Sequence, residues 1–173
     1  MTNLLRFSAC TSLVLALVGL TGCNDTPPSL HRFVNPFIGT GGHGHTYPGA
    51  TAPFGMVQLS PDSRLTGWDG CGGYHYSDSV IYGFSHTHLQ GTGVSDYGDI
   101  LFAPCTQFNE GAAHWSDRYA SHFSHENEEA HAGYYQVYLD DQKINVELTA
   151  TERVGIHRYR LEEPDTLSLI IDM

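Results

Sequence analysis

The sequence predicts an all-β protein, an antiparallel β-sandwich or barrel, and three observations carry that prediction. The chain holds 19 glycines, 8 prolines and 10 tyrosines, a composition of turns and strands. No segment of useful length has its apolar residues at a helical period. In the last third, Ile144, Val146 and Leu148 alternate with polar neighbours, as a strand with one buried face requires.

From the N-terminus, Arg6 is the one charge ahead of an almost wholly apolar run from Leu13 to Leu20. That run suits a signal-peptide core and is too short to anchor in a bilayer. It ends in Leu20-Thr21-Gly22-Cys23, which resembles the bacterial lipobox, so Cys23 is the expected lipidation site. The alternative is an ordinary secretory signal in which Cys23 is incidental. Residues 1–22 are therefore expected to be a leader and residues 23–33, with "NDTPPS", a flexible tether. Residues 34–173 form the expected folded domain.

Between Val34 and Pro104 the chain is glycine-rich, with short apolar pieces such as "MVQLS" and "DILFAP". Such segments place loops on a β scaffold. "NEEAHAG" (127–133) leads into a strand rather than forming a full helix. Strands are then expected at "YYQVYL" (134–139), "INVELTAT" (144–151), "VGIHRYRL" (154–161) and "TLSLIIDM" (166–173). Their short connections predict an antiparallel meander. The last run stops at Met173 with no closing turn, so the sequence is expected to be a fragment of a longer protein.

The full chain carries 8 basic and 19 acidic residues, a net charge of −11. That balance repels phosphate backbones and argues against nucleic-acid binding. Cys71 and Cys105 would remain after processing, and the sequence leaves open whether they pair. "HTH" (His86, Thr87, His88) on a strand would aim both imidazoles at one face, one way to begin a metal site, with Asp96 or Asp99 as further ligands. "HGH" (His43, Gly44, His45) offers a second pair. With 11 histidines in the chain, hydrogen bonding of the imidazoles to loop backbone is the favoured reading over metal ligation, so no metal site is assigned. "GTGG" (39–42) lacks the lysine and helix of a phosphate loop, and Ser85 and Ser95 lie in no nucleophile-elbow pattern.

"SPDSRLTGWDGCGGY" (60–74) sets Arg64, Trp68, Asp69 and Tyr74 in one turn-rich segment. Sugar sites use such parts, an aromatic face for the ring and polar groups for the hydroxyls. Equally, Trp68 and Tyr74 would seal a sandwich while Asp69 caps a turn.

Three long blocks go further: "VNPFIGTGGHGHTYPGATAPFGMVQLSPD" (34–62), "GWDGCGGYHYSDSVIYGFSHTHLQGTGVSDYGDILFAP" (67–104) and "FSHENEEAHAGYYQVYLDDQKINVELTATERVGIHRYRL" (123–161). Together they resemble the N-terminal domain of glycoside hydrolase family 92, bacterial exo-acting α-mannosidases. The resemblance implies a galactose-mutarotase-like supersandwich followed by a C-terminal (α/α)6 barrel, with calcium bound where the two meet. It implies inversion at the anomeric carbon, by one acid and one base. Both would come from the barrel, so no carboxylate of this chain is assigned as catalytic, Glu126, Glu128 and Glu129 included. The expected substrate is a mannose-containing glycan, with α-1,2 linkages foremost. Arg64, Trp68 and Asp69 are the expected substrate contacts, and His86 and His88 the pocket wall or domain interface. The expected location is the bacterial cell envelope, with the membrane touched only through the lipid anchor. Rival readings are a tethered non-catalytic sugar-binding module, a cupin-like HxH metalloenzyme and a purely structural sandwich.

Overall fold

A computed structural model describes residues 29–64 and 66–173; the expected leader, Cys23 and most of the tether lie outside the described residues. Eleven strands are present among them: β1 (Ala50–Thr51), β2 (Gln58–Asp62), β3 (Val80–Ile81), β4 (Gly83–Ser85), β5 (Leu101–Cys105), β6 (Ser121–His122), β7 (Glu128–His131), β8 (Tyr134–Leu139), β9 (Ile144–Ala150), β10 (Gly155–Leu161) and β11 (Ser168–Asp172). Helical structure among the described residues is limited to short 3-10 turns. One sheet runs β1-β2-β4-β5-β11, a second β10-β9-β8-β7, and β3 pairs with β6. Every pairing is antiparallel.

The two large sheets face each other where β1 and β2 pack on β9. Alternation along β8 buries Tyr135, Val137 and Leu139, and along β9 it buries Ile144, Val146 and Leu148. These meet Ala50, Leu59, Ile81 and Phe84 from the other side. Burying such side chains contributes about 1.5–3 kcal/mol each, and this layer holds the sheets together.

The meander expected for the last four strands holds only through β10. β11 leaves it and joins the other sheet, Ser168 opposite Cys105 and Asp172 opposite Leu101. Its backbone groups find an open edge on β5, a choice that depends on a strand far back in the chain. "NEEAHAG" behaves as expected, forming β7 after a 3-10 turn at His125–Asn127.

A buried polar node ties the layers. Glu128 accepts from the Tyr74 hydroxyl at 2.9 Å and the Tyr135 hydroxyl at 2.7 Å, and its other oxygen meets His125 Nδ1 at 2.5 Å. Burial, reinforced by the Glu128 charge, pushes both tyrosines well above their ordinary pKa. Glu128 is thus a structural carboxylate.

Candidate functional site

The site is built by three loop segments, one ahead of β1 and two between β2 and β5. The first carries His43 and His45. Gly44 between them packs so closely on Gly39 that a Cβ there would lie 2.0 Å from the Gly39 carbonyl oxygen. His45 adopts a left-handed backbone, φ 55°, uncommon for a residue with a Cβ. This turns its imidazole inward, toward the second segment.

That second segment runs from Asp62 to Tyr74. Ser63 N and Arg64 N both donate to the Gly73 carbonyl, closing the segment at its base. Arg64 donates from Nε to Asp78 Oδ2 at 3.1 Å, and its Nη2 pairs with Asp78 Oδ1. Hydrogen bonding to Asp78 raises its pKa further. The guanidinium is therefore fixed by a bidentate clamp. Trp68 and Asp69 occupy the 3-10 turn Trp68–Gly70. Trp68 is 61% exposed and Tyr74 1%, so the two aromatics that looked alike in sequence have opposite fates. Tyr74 seals the core, and Trp68 lies on the surface with its ring against Gly93, where a Cβ would sit 1.9 Å from the indole. Asp69 caps no turn; its Oδ1 meets His43 Nδ1 at 2.7 Å, and that contact holds its pKa below the usual carboxylate range.

The third segment follows β4. The strand ends at Ser85, so the shared face expected for His86 and His88 does not form. His86 Nδ1 faces the Ile100 carbonyl at 3.4 Å and its Nε2 lies 3.3 Å from His157 Nε2 on β10. His88 is buried elsewhere: Nδ1 donates to the Gln58 carbonyl at 2.7 Å, and Nε2 to Asp62 Oδ1 at 2.9 Å. Burial works against its charge, but the Asp62 charge and both hydrogen bonds outweigh that and raise its pKa. With an acceptor at each nitrogen, His88 is held as an imidazolium. Ser85 Oγ approaches the same Nε2 that Asp62 occupies, at 3.1 Å. A catalytic triad needs those partners on opposite nitrogens, so this trio is a structural ion pair.

Between the second and third segments lies a pocket of about 230 Å³, lined by Asp62, Arg64, Cys71, His88, Asp96 and Tyr97 among others. Cys71 donates its thiol to the Thr92 carbonyl, and burial raises its pKa. Both Cys71 and Cys105 are free thiols. A larger recess, about 440 Å³, sits by β3 and β6 and contains none of the sequence-predicted site residues. The structure thus brings Arg64 and His88 to one pocket, with Trp68 and Asp69 on the adjoining turn, and sends His86 to the seam between the sheets. His43 and His45, on which the sequence reading placed no role, join Asp69. The signal was there in "HGH" and "WDG", but their convergence depends on the loop fold.

An antiparallel sandwich whose loops offer a clamped guanidinium, an exposed indole and a polar recess has the make-up of a carbohydrate-handling domain. Comparison with known proteins makes this specific. The profile of the Glycosyl hydrolase family 92 N-terminal domain matches residues 33–173, and the chain belongs to that family. The family GH92 α-mannosidase BT3965 from Bacteroides thetaiotaomicron, solved with mannoimidazole, is 42% identical; the match covers 83% of this chain and 20% of that one, with a TM-score of 0.76. The inverting GH92 mannosidase BT2199 from the same organism is 27% identical, covering 86% and 20%, with a TM-score of 0.72. An uncharacterized secreted glycosidase of Arthroderma benhamiae is 32% identical over 133 residues, which is 74% of this chain and 17% of the relative. The chain thus spans about a fifth of the length of the proteins it matches.

Calcium, which the sequence resemblance implies, takes six to eight oxygen ligands. The one three-residue group of potential metal ligands among the described residues is His43, His45 and Asp69. Two imidazoles and a carboxylate do not fit calcium.

Proposed function

We propose that this chain is the N-terminal sandwich of an exo-acting α-mannosidase that removes terminal α-mannosyl residues, α-1,2-linked ones foremost, with inversion. The observation that carries the reading is the relation to solved α-mannosidases, 42% identical over 83% of this chain with a TM-score of 0.76. In this reading Arg64, Trp68 and Asp69 contact the terminal mannose. A clamped guanidinium donates to hydroxyls without a large ordering cost, an exposed indole covers the apolar ring face, and Asp69 accepts through its outer oxygen. His86 and His88 act behind them, as wall or domain interface, by fixing loops. The acid and the base come from the barrel beyond this chain. Asp62, which lines the pocket, and Asp78, which clamps Arg64, are each engaged by a cation, and this supports that division. Calcium would likewise be held largely by the barrel. The protein acts at the bacterial cell envelope, lipid-anchored through Cys23.

The test assays full-length enzyme on an α-mannoside in calcium, comparing wild type with Arg64→Ala and Trp68→Ala. Losing one polar or stacking contact in a desolvated site costs about 1–3 kcal/mol, roughly a tenfold to hundredfold fall in kcat/KM. Two folded variants at wild-type kcat/KM would sink the site assignment. Loss of membrane association in Cys23→Ala, read by fractionation, tests the anchor. A sugar-binding module without catalysis is the second reading, and a full-length protein that binds mannosides without hydrolysing them would favour it.

A further inference from the structure

We infer that His43, His45 and Asp69 form a binding site for a divalent transition metal, zinc foremost, distinct from any calcium site and independent of the mannosidase reading. Their ligand atoms all lie within 4.8 Å of one another. His43 Nδ1 and His45 Nε2 converge on a single oxygen, Asp69 Oδ1, at 2.7 and 3.5 Å. In a tetrahedral site with ligand bonds of about 2.0–2.1 Å, neighbouring ligand atoms stand roughly 3.4 Å apart. The His45–Asp69 separation already has that value. The His43 side chain is 80% exposed and is free to swing the small distance the third edge requires.

A second observation points to a ligand. His45 is more than nine-tenths buried, and its Nε2 has no hydrogen-bond partner. Buried ring nitrogens are seldom left unsatisfied, and this one is aimed into the cluster. The rest of the imidazole is held in place by the protein. Trp68 packs edge-on to it with ring centroids 5.0 Å apart, and the His45 carbonyl accepts from Gly91 N at 2.8 Å. Such support sets a ligand's direction before the metal arrives. Two imidazoles and one carboxylate select first-row transition metals over calcium or magnesium, and three protein ligands leave a coordination position open to water or to a sugar hydroxyl.

Full-length protein, stripped with chelator and returned to calcium, is titrated with zinc by calorimetry and with cobalt(II) by visible absorption. Wild type should take up one equivalent saturably and show the cobalt bands of nitrogen–oxygen coordination. Uptake should weaken as pH is lowered, because metal and protons compete for imidazole ligands. His43→Ala and Asp69→Asn should each weaken binding at least about tenfold. His43→Ala alters an exposed side chain, so it stays informative where His45→Ala fails to fold. No saturable uptake in the presence of calcium overturns the site. So does uptake that either His43→Ala or Asp69→Asn leaves unchanged.

Discussion

The four-stranded sheet and the loop-built site handle charge in opposite ways. In the sheet, Glu147 on β9 is held by Arg158 and Arg160 on β10, whose side chains are 62% and 56% exposed. These charges ride on the outer face, while the inner faces of β8 and β9 bury only apolar side chains and Tyr135. The inward carboxylate of the sheet, Glu128 on β7, is held by Tyr74, Tyr135 and His125. In the loop region the order is inverted. Asp62 and His88 are almost wholly buried as an ion pair, and apolar Trp68 lies outside. A buried pair gains stability only while both partners and their other hydrogen bonds stay in place, whereas an exposed one contributes little either way. The outer face of β9 and β10 is therefore tolerant where it is charged, and the site is brittle where it is charged.

The largest effect should come from Asp62→Ala. It strands a buried imidazolium and removes the acceptor for Ser85 N, 2.7 Å from Asp62 Oδ2. Unfolding free energy by urea should fall by about 3–5 kcal/mol; a loss below 1 kcal/mol would erase the contrast between the regions. The next test addresses the seam where the two meet. His157, on β10, faces His86 and is pushed down to about 4, chiefly by burial and then by the His86 charge. Between pH 6.5 and pH 4 the unfolded chain takes up a proton that the folded protein refuses, so stability falls as pH drops through that window. The expected loss is about 3 kcal/mol at full protonation. His157→Gln, which can still accept from the Tyr159 hydroxyl that lies 2.8 Å from Nδ1, should flatten that limb of a Tm-versus-pH curve. His88 acts in the reverse sense: its raised value contributes fully below pH 6.5 and is lost as pH climbs through it. The smallest effect belongs to Arg160→Met, which should change stability by less than about 1 kcal/mol. A larger loss would mean that the outer ion pairs also carry the fold.

How far each region was legible follows from the same division. β8 occupies the residues its alternation predicts, Tyr134–Leu139, and β9 and β10 begin and end within a residue of expectation. Their information is local: side-chain period and a turn. The site's information is not. Arg64, Trp68 and Asp69 were singled out by residue type, but nothing in "GWDGCGGY" distinguishes Trp68, resting on Gly93, from Tyr74, bound to Glu128 fifty-four residues on. The same holds for the expected "HTH" pair, since the end of β4 at Ser85 is set by pairing with β2 and β5. His45 meets Asp69 only because Gly44 lets the loop fold back on Gly39, a contact that no local pattern announces.

The pairing of β11 with β5 has a consequence for the order of events in synthesis. When β5 leaves the ribosome it finds β4 at once, but its other edge stays bare until Asp172 has followed. Meanwhile the hairpins β7-β8, β8-β9 and β9-β10 can each close from neighbouring residues. The five-stranded sheet is thus the slow partner, its closure governed by a long loop rather than by strand propensity. During synthesis, the interval in which Leu101–Cys105 presents an open edge is the moment when this protein is most exposed to adding a strand from a second copy.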